Sequence, residues 1–154
     1  MIGRYENFPS NIHFVETFNV NKSTKQLQKN LLTFFAQANI QTYHFEEVAN
    51  PTIPNAVINF EFGLAEGNSF CFIDKQELQR FTELIQKENY QTLDFYCAIQ
   101  YHKGPEKTPL KFDYYILRIL FEKGKFEVQI HHEKGPRYLI PEDIANLIFQ
   151  KSSN

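Results

Sequence analysis

Two short runs in this 154-residue chain carry residue types that could do chemistry: His102-Lys103-Gly104-Pro105 and His132-Glu133-Lys134-Gly135-Pro136-Arg137. Each closes a stretch with strand patterning and sets an imidazole and an ammonium beside a glycine that frees the backbone. Cationic side chains converging on glycine-containing loops can hold a phosphate or a carboxylate. Lys107 and Lys111 lie between the two runs. The candidate anion-binding set is therefore His102, Lys103, Lys107, Lys111, His132, Lys134 and Arg137. Lys-Gly-Pro is also ordinary turn chemistry, with proline stopping the strand and the lysine solvated. Residue types alone leave both readings open.

The charge distribution adds to the first reading. The chain carries a formal −2, which argues against a general polyanion binder. Residues 1–100 hold 7 Lys+Arg against 11 Asp+Glu, whereas residues 101–137 hold 8 against 5, so a basic pole surrounds the two runs. Three of the five histidines fall there as well.

Other chemistries find less support. In His131-His132-Glu133 the two imidazoles are neighbours, and neighbours on a regular strand point to opposite faces, so no metal site is expected. His132 shares a side with Phe126, Val128 and Ile130, which suits a satisfied histidine at a buried edge. Ser10, Ser23 and Ser69 occupy turn or cap positions and face no base. Glu46-Glu47 and Glu142-Asp143 are chain neighbours and do not make a convergent acid/base pair. No glycine-rich phosphate loop is present, so neither a cofactor nor a catalytic set is expected. Tyrosines among the lysines (Tyr101, Tyr114, Tyr115, Tyr138) suit single-stranded nucleic acid, where bases stack on rings and lysines meet phosphates. Half-buried sheet tyrosines explain them equally well.

The elements that must position these residues are legible from hydrophobic periodicity. Phe112 to Phe121 is apolar on both faces except at Asp113 and Arg118, as expected of a central strand covered on each side. Phe126, Val128 and Ile130 alternate with charged and polar residues, and Glu122-Lys123-Gly124 reads as a three-residue hairpin loop between the two strands. With Leu93 to His102 they form a meander, which brings the ends of the first and third strands to one sheet edge about 10 Å apart.

Upstream, Ile12 to Val20, Tyr43 to Val48, Ile58 to Leu64 and Phe70 to Ile73 read as strands. Pro51 and Pro54 belong to a loop after the second, and Pro105 and Pro109 to the loop before the central strand. Ser23 with Gln26 and Asp74 with Glu77 read as capping boxes opening two helices. Their stripes are Leu27, Leu31, Phe34, Phe35, Ala38 and Leu78, Phe81, Leu84, Ile85. Pro141 opens a closing helix over 141–150, with Lys151 onward as a frayed tail.

The order β-αβββ-αβββ-α predicts one α+β domain over 1–154, an antiparallel sheet with helices mainly on one face. A shift of about 50 residues superposes the halves 21–74 and 75–132, including a shared Asn-x-Gln-Thr-x-x-Phe at Asn39 and Asn89. Internal duplication and the recurrence of similar local needs both account for it. Cys71 and Cys97 sit in apolar strand runs and read as buried, reduced thiols. No leader pattern and no apolar run of roughly 20 residues occurs, so the expected location is the cytoplasm.

The functional expectation is a non-enzymatic module docking a partner protein, a second copy of the chain included, through a sheet face or edge. The alternative is an anionic ligand or single-stranded nucleic acid at the basic edge, and a small hydrolase or transferase ranks last.

Overall fold

The computed structural model describes residues 1–50, 54–103 and 108–153, with 108–110 as backbone alone. Pro51, Pro105 and Lys107 lie outside the described residues. The elements in chain order are β1 (Phe14–Asn19), α1 (Thr24–Ala38), β2 (Thr42–His44), α2 (Phe45–Val48), β3 (Ala56–Glu66) and β4 (Ser69–Phe72). They continue with α3 (Lys75–Lys87), β5 (Thr92–Lys103), β6 (Thr108–Glu122), β7 (Lys125–Lys134) and α4 (Pro141–Ser153). The strands make one antiparallel sheet in the order β1-β7-β6-β5-β3-β2, with β4 also on β3. The α+β class, the meander β5-β6-β7 and the helix layer on one face are as the periodicity predicts.

Alternation along the strands defines two faces. The inner face presents Ile58, Phe60 and Phe62 from β3, Phe95 and Ile99 from β5, Leu117 and Ile119 from β6, and Val128 and Ile130 from β7, all buried. Helix α1 lays Leu27, Leu31, Leu32 and Phe35 against them, with the Phe35 ring stacked on Phe62 at 3.9 Å and edge-on to Phe95 at 4.9 Å. Helix α4 closes the β1 side through Phe149, stacked on Phe18 at 4.7 Å. An aromatic core replaces the missing tryptophan. Among the described residues no helix is long and apolar enough to cross a membrane.

Both predicted N-caps hold, as half boxes. Ser23 Oγ accepts from the Gln26 amide and Asp74 Oδ1 from the Glu77 amide. The reciprocal side chains look elsewhere, Gln26 to Asn30 and Glu77 to Arg80. Four expectations need correction. Residues 43–48 do not form one strand: β2 stops at His44 because Glu47 accepts the His44 backbone N–H and starts a helical turn. The β6–β7 turn is two residues, Lys123-Gly124, because Glu122 pairs with Lys125, with Gly124 at φ +80°. Residues 151–153 are not frayed, since Ser152 and Ser153 donate back to the Ile148 and Phe149 carbonyls and Asn30 donates to the Ser152 carbonyl. Cys97 is buried, but Cys71 is only half-buried, its thiol donating to Glu66 Oε1. Hydrogen bonds from Arg80, then from Cys71, hold the Glu66 carboxyl at about 2, and the hydrogen bond to Glu66 pushes the Cys71 thiol up.

The shared Asn-x-Gln-Thr-x-x-Phe has different work in its two places. The Asn39 side chain fills the gap between β2 and β4 on the β3 edge, accepting from Phe62 N and donating to the Phe62 and Ile73 carbonyls. Asn89 is exposed at the rim of a cavity beside the N-terminal segment. Asn39→Ala therefore leaves buried backbone groups unsatisfied and is expected to cost about 1–3 kcal/mol in urea denaturation. Asn89→Ala should fall within roughly 0.5 kcal/mol of the parent. Equal losses would mean that the Asn39 bonds are not made. Thiol titration supplies a second check: the native protein should label at Cys71 alone, and Cys97 only on unfolding.

Candidate functional site

Asp113 is the residue from which the basic edge is built. It lies on the inner face of β6, fully buried, and a carboxylate there is tolerable only if every lone pair finds a donor. Four donors converge on it. Oδ1 accepts from the Arg137 amide at 2.7 Å and from His132 Nε2 at 3.0 Å. Oδ2 accepts from the Tyr101 hydroxyl at 2.5 Å and from the Tyr138 amide at 3.0 Å. The Tyr101 oxygen then accepts from the Leu139 amide, and the Tyr115 hydroxyl donates to the Leu139 carbonyl. Burial, then the neighbouring carboxylate, pushes both tyrosine hydroxyls far up, so they remain donors.

This network pins residues 135–139, the segment that carries the second Lys-Gly-Pro, onto the sheet. Gly135 is required: its φ is +117°, and a Cβ would come within 2.3 Å of Asp113 Oδ1. A bulge between Tyr114 and Tyr115 brings Lys134 opposite Tyr114, whereas His132 keeps the regular register opposite Tyr115 and is an inner-face residue by the alternation of β7. Its Nε2–H donates to Asp113 and its Nδ1 accepts from Arg137 Nε at 3.1 Å. Arg137, at φ +61°, thus bridges carboxylate and imidazole.

The candidate set divides into three places. His132 and Arg137 belong to the Asp113 network. Lys134, on the outer side, and Lys111, opposite Tyr101 at the start of the same edge, both line a shallow depression of about 540 Å³ with Phe112, Tyr114, Gly135 and Pro136. The Lys134 ammonium stands 4.8 Å from the Tyr114 ring centre. His102 lies on the opposite face from His132, paired with Val57, and Lys103 is exposed at the end of β5 opposite Ala56. Lys107 lies outside the described residues. Two further imidazoles, those of His13 and His131, stack at 4.9 Å on the outer side, and His13 Nδ1 accepts from the His132 amide. Burial, then the charges of His131, Arg137 and His132, lowers the His13 pKa.

Asp113, Phe112 and Tyr114 were absent from the predicted set. Their signal was present in the sequence: an acid in a strand otherwise almost wholly apolar must recruit donors, and here two come from the flanking strands, Tyr101 and His132, and two from the loop after β7.

A second buried carboxylate organises the other end of the outer face. β3 and β5 part beyond the Phe62–Cys97 pair, and Ile2-Gly3 enters the gap, with Gly3 N–H on the Ala65 carbonyl and Asp94 N–H on the Gly3 carbonyl. Asp94 is fully buried, paired with Arg118 through two bonds of 2.8 Å, and accepts from the Tyr5 amide. The Arg118 guanidinium lies 4.1 Å from the Phe8 ring centre, so the N-terminal segment covers this end. The cavity of about 880 Å³ at its margin is lined by Arg4, Tyr5, Phe8, Tyr90 and Gln91 among others, and brings no catalytic pair together. Among the described residues no cluster of three or more His, Cys, Asp or Glu could hold a metal ion.

Comparison with protein-family models, with curated proteins and with solved structures finds no match.

Asp113→Ala strands four donors and is expected to cost about 3–5 kcal/mol, as for other buried charges stripped of a partner. Gly135→Ala should also destabilise, by more than about 1 kcal/mol. Urea denaturation with loss below about 1 kcal/mol for both would mean that the 135–139 segment is not fixed by this carboxylate.

Proposed function

We propose that this chain is a binding module, not a catalyst, and that a partner protein docks on the outer face of its sheet. The observation that carries this reading is the one-sided helix layer. α1 and α4 cover the inner face, while on the outer face the N-terminal segment covers the Asp94–Arg118 end and, through Asn11 and His13, the surroundings of His131. The remainder presents Tyr96, Ile116, Phe72 and Val15, with Phe72 40% and Val15 51% exposed. Phe72 stands over Gly63, opposite which Tyr96 crosses so closely that a Cβ on Gly63 would lie 2.4 Å from its ring. Tyr96 is held in turn by its bond to Glu61 Oε2. Aromatic side chains on a rigid sheet lose little entropy on docking, which is why rings anchor protein interfaces.

The absence of an activated nucleophile or convergent acid/base pair among the described residues is consistent with binding without turnover. The test is photo-crosslinking in an extract of the source cells, with a benzophenone side chain placed at position 116, at 72, or at Lys29 on the exposed side of α1. Positions 116 and 72 should give the same discrete protein adduct and position 29 none. Equal adducts from all three sites, or none from 116 and 72, would contradict docking on this face.

A further inference from the structure

We propose that the depression formed by Lys111, Phe112, Tyr114, Lys134, Gly135 and Pro136 binds single-stranded nucleic acid, seating an unpaired base on the Phe112 ring with the adjoining phosphates between the two ammonium groups. This goes beyond protein docking and uses one end of the outer face, next to Ile116 along β6 and away from Phe72.

Three features of the depression select that ligand. The first is a free π-surface on a stiff support. Phe112 is 50% exposed, yet it pairs with Gln100 of β5, and from Tyr114 onward β6 is also paired with β7. The Tyr114 ring continues the surface at 6.1 Å with a 36° tilt. Base–aromatic stacking needs such a platform and tolerates any base. The second is charge in the right place. Lys134 stands over the Tyr114 ring and Lys111 lines the same depression, and the nearest acids among the described residues are withdrawn: Asp113 is buried under its four donors, and Glu133 faces His131 Nε2 at 3.0 Å. The local balance over residues 101–137 is 8 cations to 5 anions, against −2 for the whole chain, which complements a short run of phosphates and not a long polyanion. The third is an amide beside the platform: Gln100 pairs directly across from Phe112 on the same face, so a side chain that both donates and accepts neighbours a stacked base's edge.

An acidic peptide would satisfy the lysines and leave the ring unused. A duplex would satisfy the lysines too, but its bases are already stacked and paired. A free mononucleotide shares the chemistry; a strand adds a second phosphate for the second lysine, and the depression is open along the sheet so that a strand can enter and leave.

The test is fluorescence anisotropy with the full chain and labelled oligothymidylate and oligouridylate of about ten nucleotides, from about 50 to about 200 mM salt. Binding should weaken with a log–log salt slope of about −1.4, for two phosphates on a single strand. Phe112→Ala, at a half-exposed site, should weaken binding about tenfold without changing the thermal melt. Lys111→Gln combined with Lys134→Gln should flatten the salt slope, while Lys29→Gln on the helical side should leave it unchanged. The proposal is overturned by no binding at low salt, by equal affinity for a duplex of the same length, or by an unchanged affinity in Phe112→Ala. A mononucleotide bound as tightly as the oligomer would overturn it in favour of a small-ligand site. A poly-glutamate peptide bound in place of the oligonucleotides would overturn it in favour of an acidic protein. None of these outcomes depends on the crosslinking at positions 72 and 116, so the two readings fail separately.

Discussion

The Asp113 carboxylate is the constraint on which the functional end of this protein depends. An ionised side chain with no solvent contact is costly unless its oxygens are saturated, and here two backbone amides, a phenol and an imidazole saturate them. Three consequences follow from one residue. The 135–139 segment loses its freedom, because its amides are the donors. The inward His132 ring is fixed, because the carboxylate holds Nε2. Gly135 must be glycine, because the carboxylate occupies the space a side chain would need. Pro136 and Gly135 then form one wall of the outer depression, and Pro141 starts α4 from a fixed point. A polar contact buried beneath the sheet thereby shapes the surface above it.

Asp94 does the corresponding work at the far end of β5. It joins Arg118 of the neighbouring strand and the Tyr5 amide of the N-terminal segment, and so decides how much of the outer face is covered. The two acids act in opposite senses. Asp94 draws a segment across the outer face, while Asp113 draws one down against the edge and leaves Phe112 and Tyr114 uncovered beside it. The exposed part of the sheet is what remains between these two anchors.

Much of the fold was legible in the sequence because its signals are local. The alternation of Ile58, Phe60, Phe62 and Leu64, the caps at Ser23 and Asp74, and the meander of the last three strands each rest on a few consecutive residues. What failed depended on distant partners or on competition between local needs. Tyr43 to Val48 has strand composition, but Glu47 reaches the His44 amide and a helical turn wins. Lys151 to Ser153 looks like a polar tail, but Ser152 has the Asn30 side chain to meet, 122 residues away. The candidate site shows the same division. Convergence of the strand ends followed from the meander, and a satisfied inward His132 followed from the alternation of β7. The outer depression did not, because it depends on the bulge at Tyr114/Tyr115, which turns Lys134 toward Tyr114. Asp113 was visible as an exception in an apolar strand, yet two of its donors are backbone amides of the irregular segment beyond the next strand.

Hydrogen exchange at the amides of Arg137, Tyr138 and Leu139 bears most directly on the role of Asp113. These amides lie in an irregular segment between β7 and α4, where exchange would ordinarily occur by local fraying. Because they donate to Asp113 and to Tyr101, they should exchange as slowly as the amides of β6 and only through global opening. Exchange of all three at the rate of the exposed Lys123-Gly124 turn would show that the carboxylate does not hold the segment, and the shape of the outer depression would then need another cause.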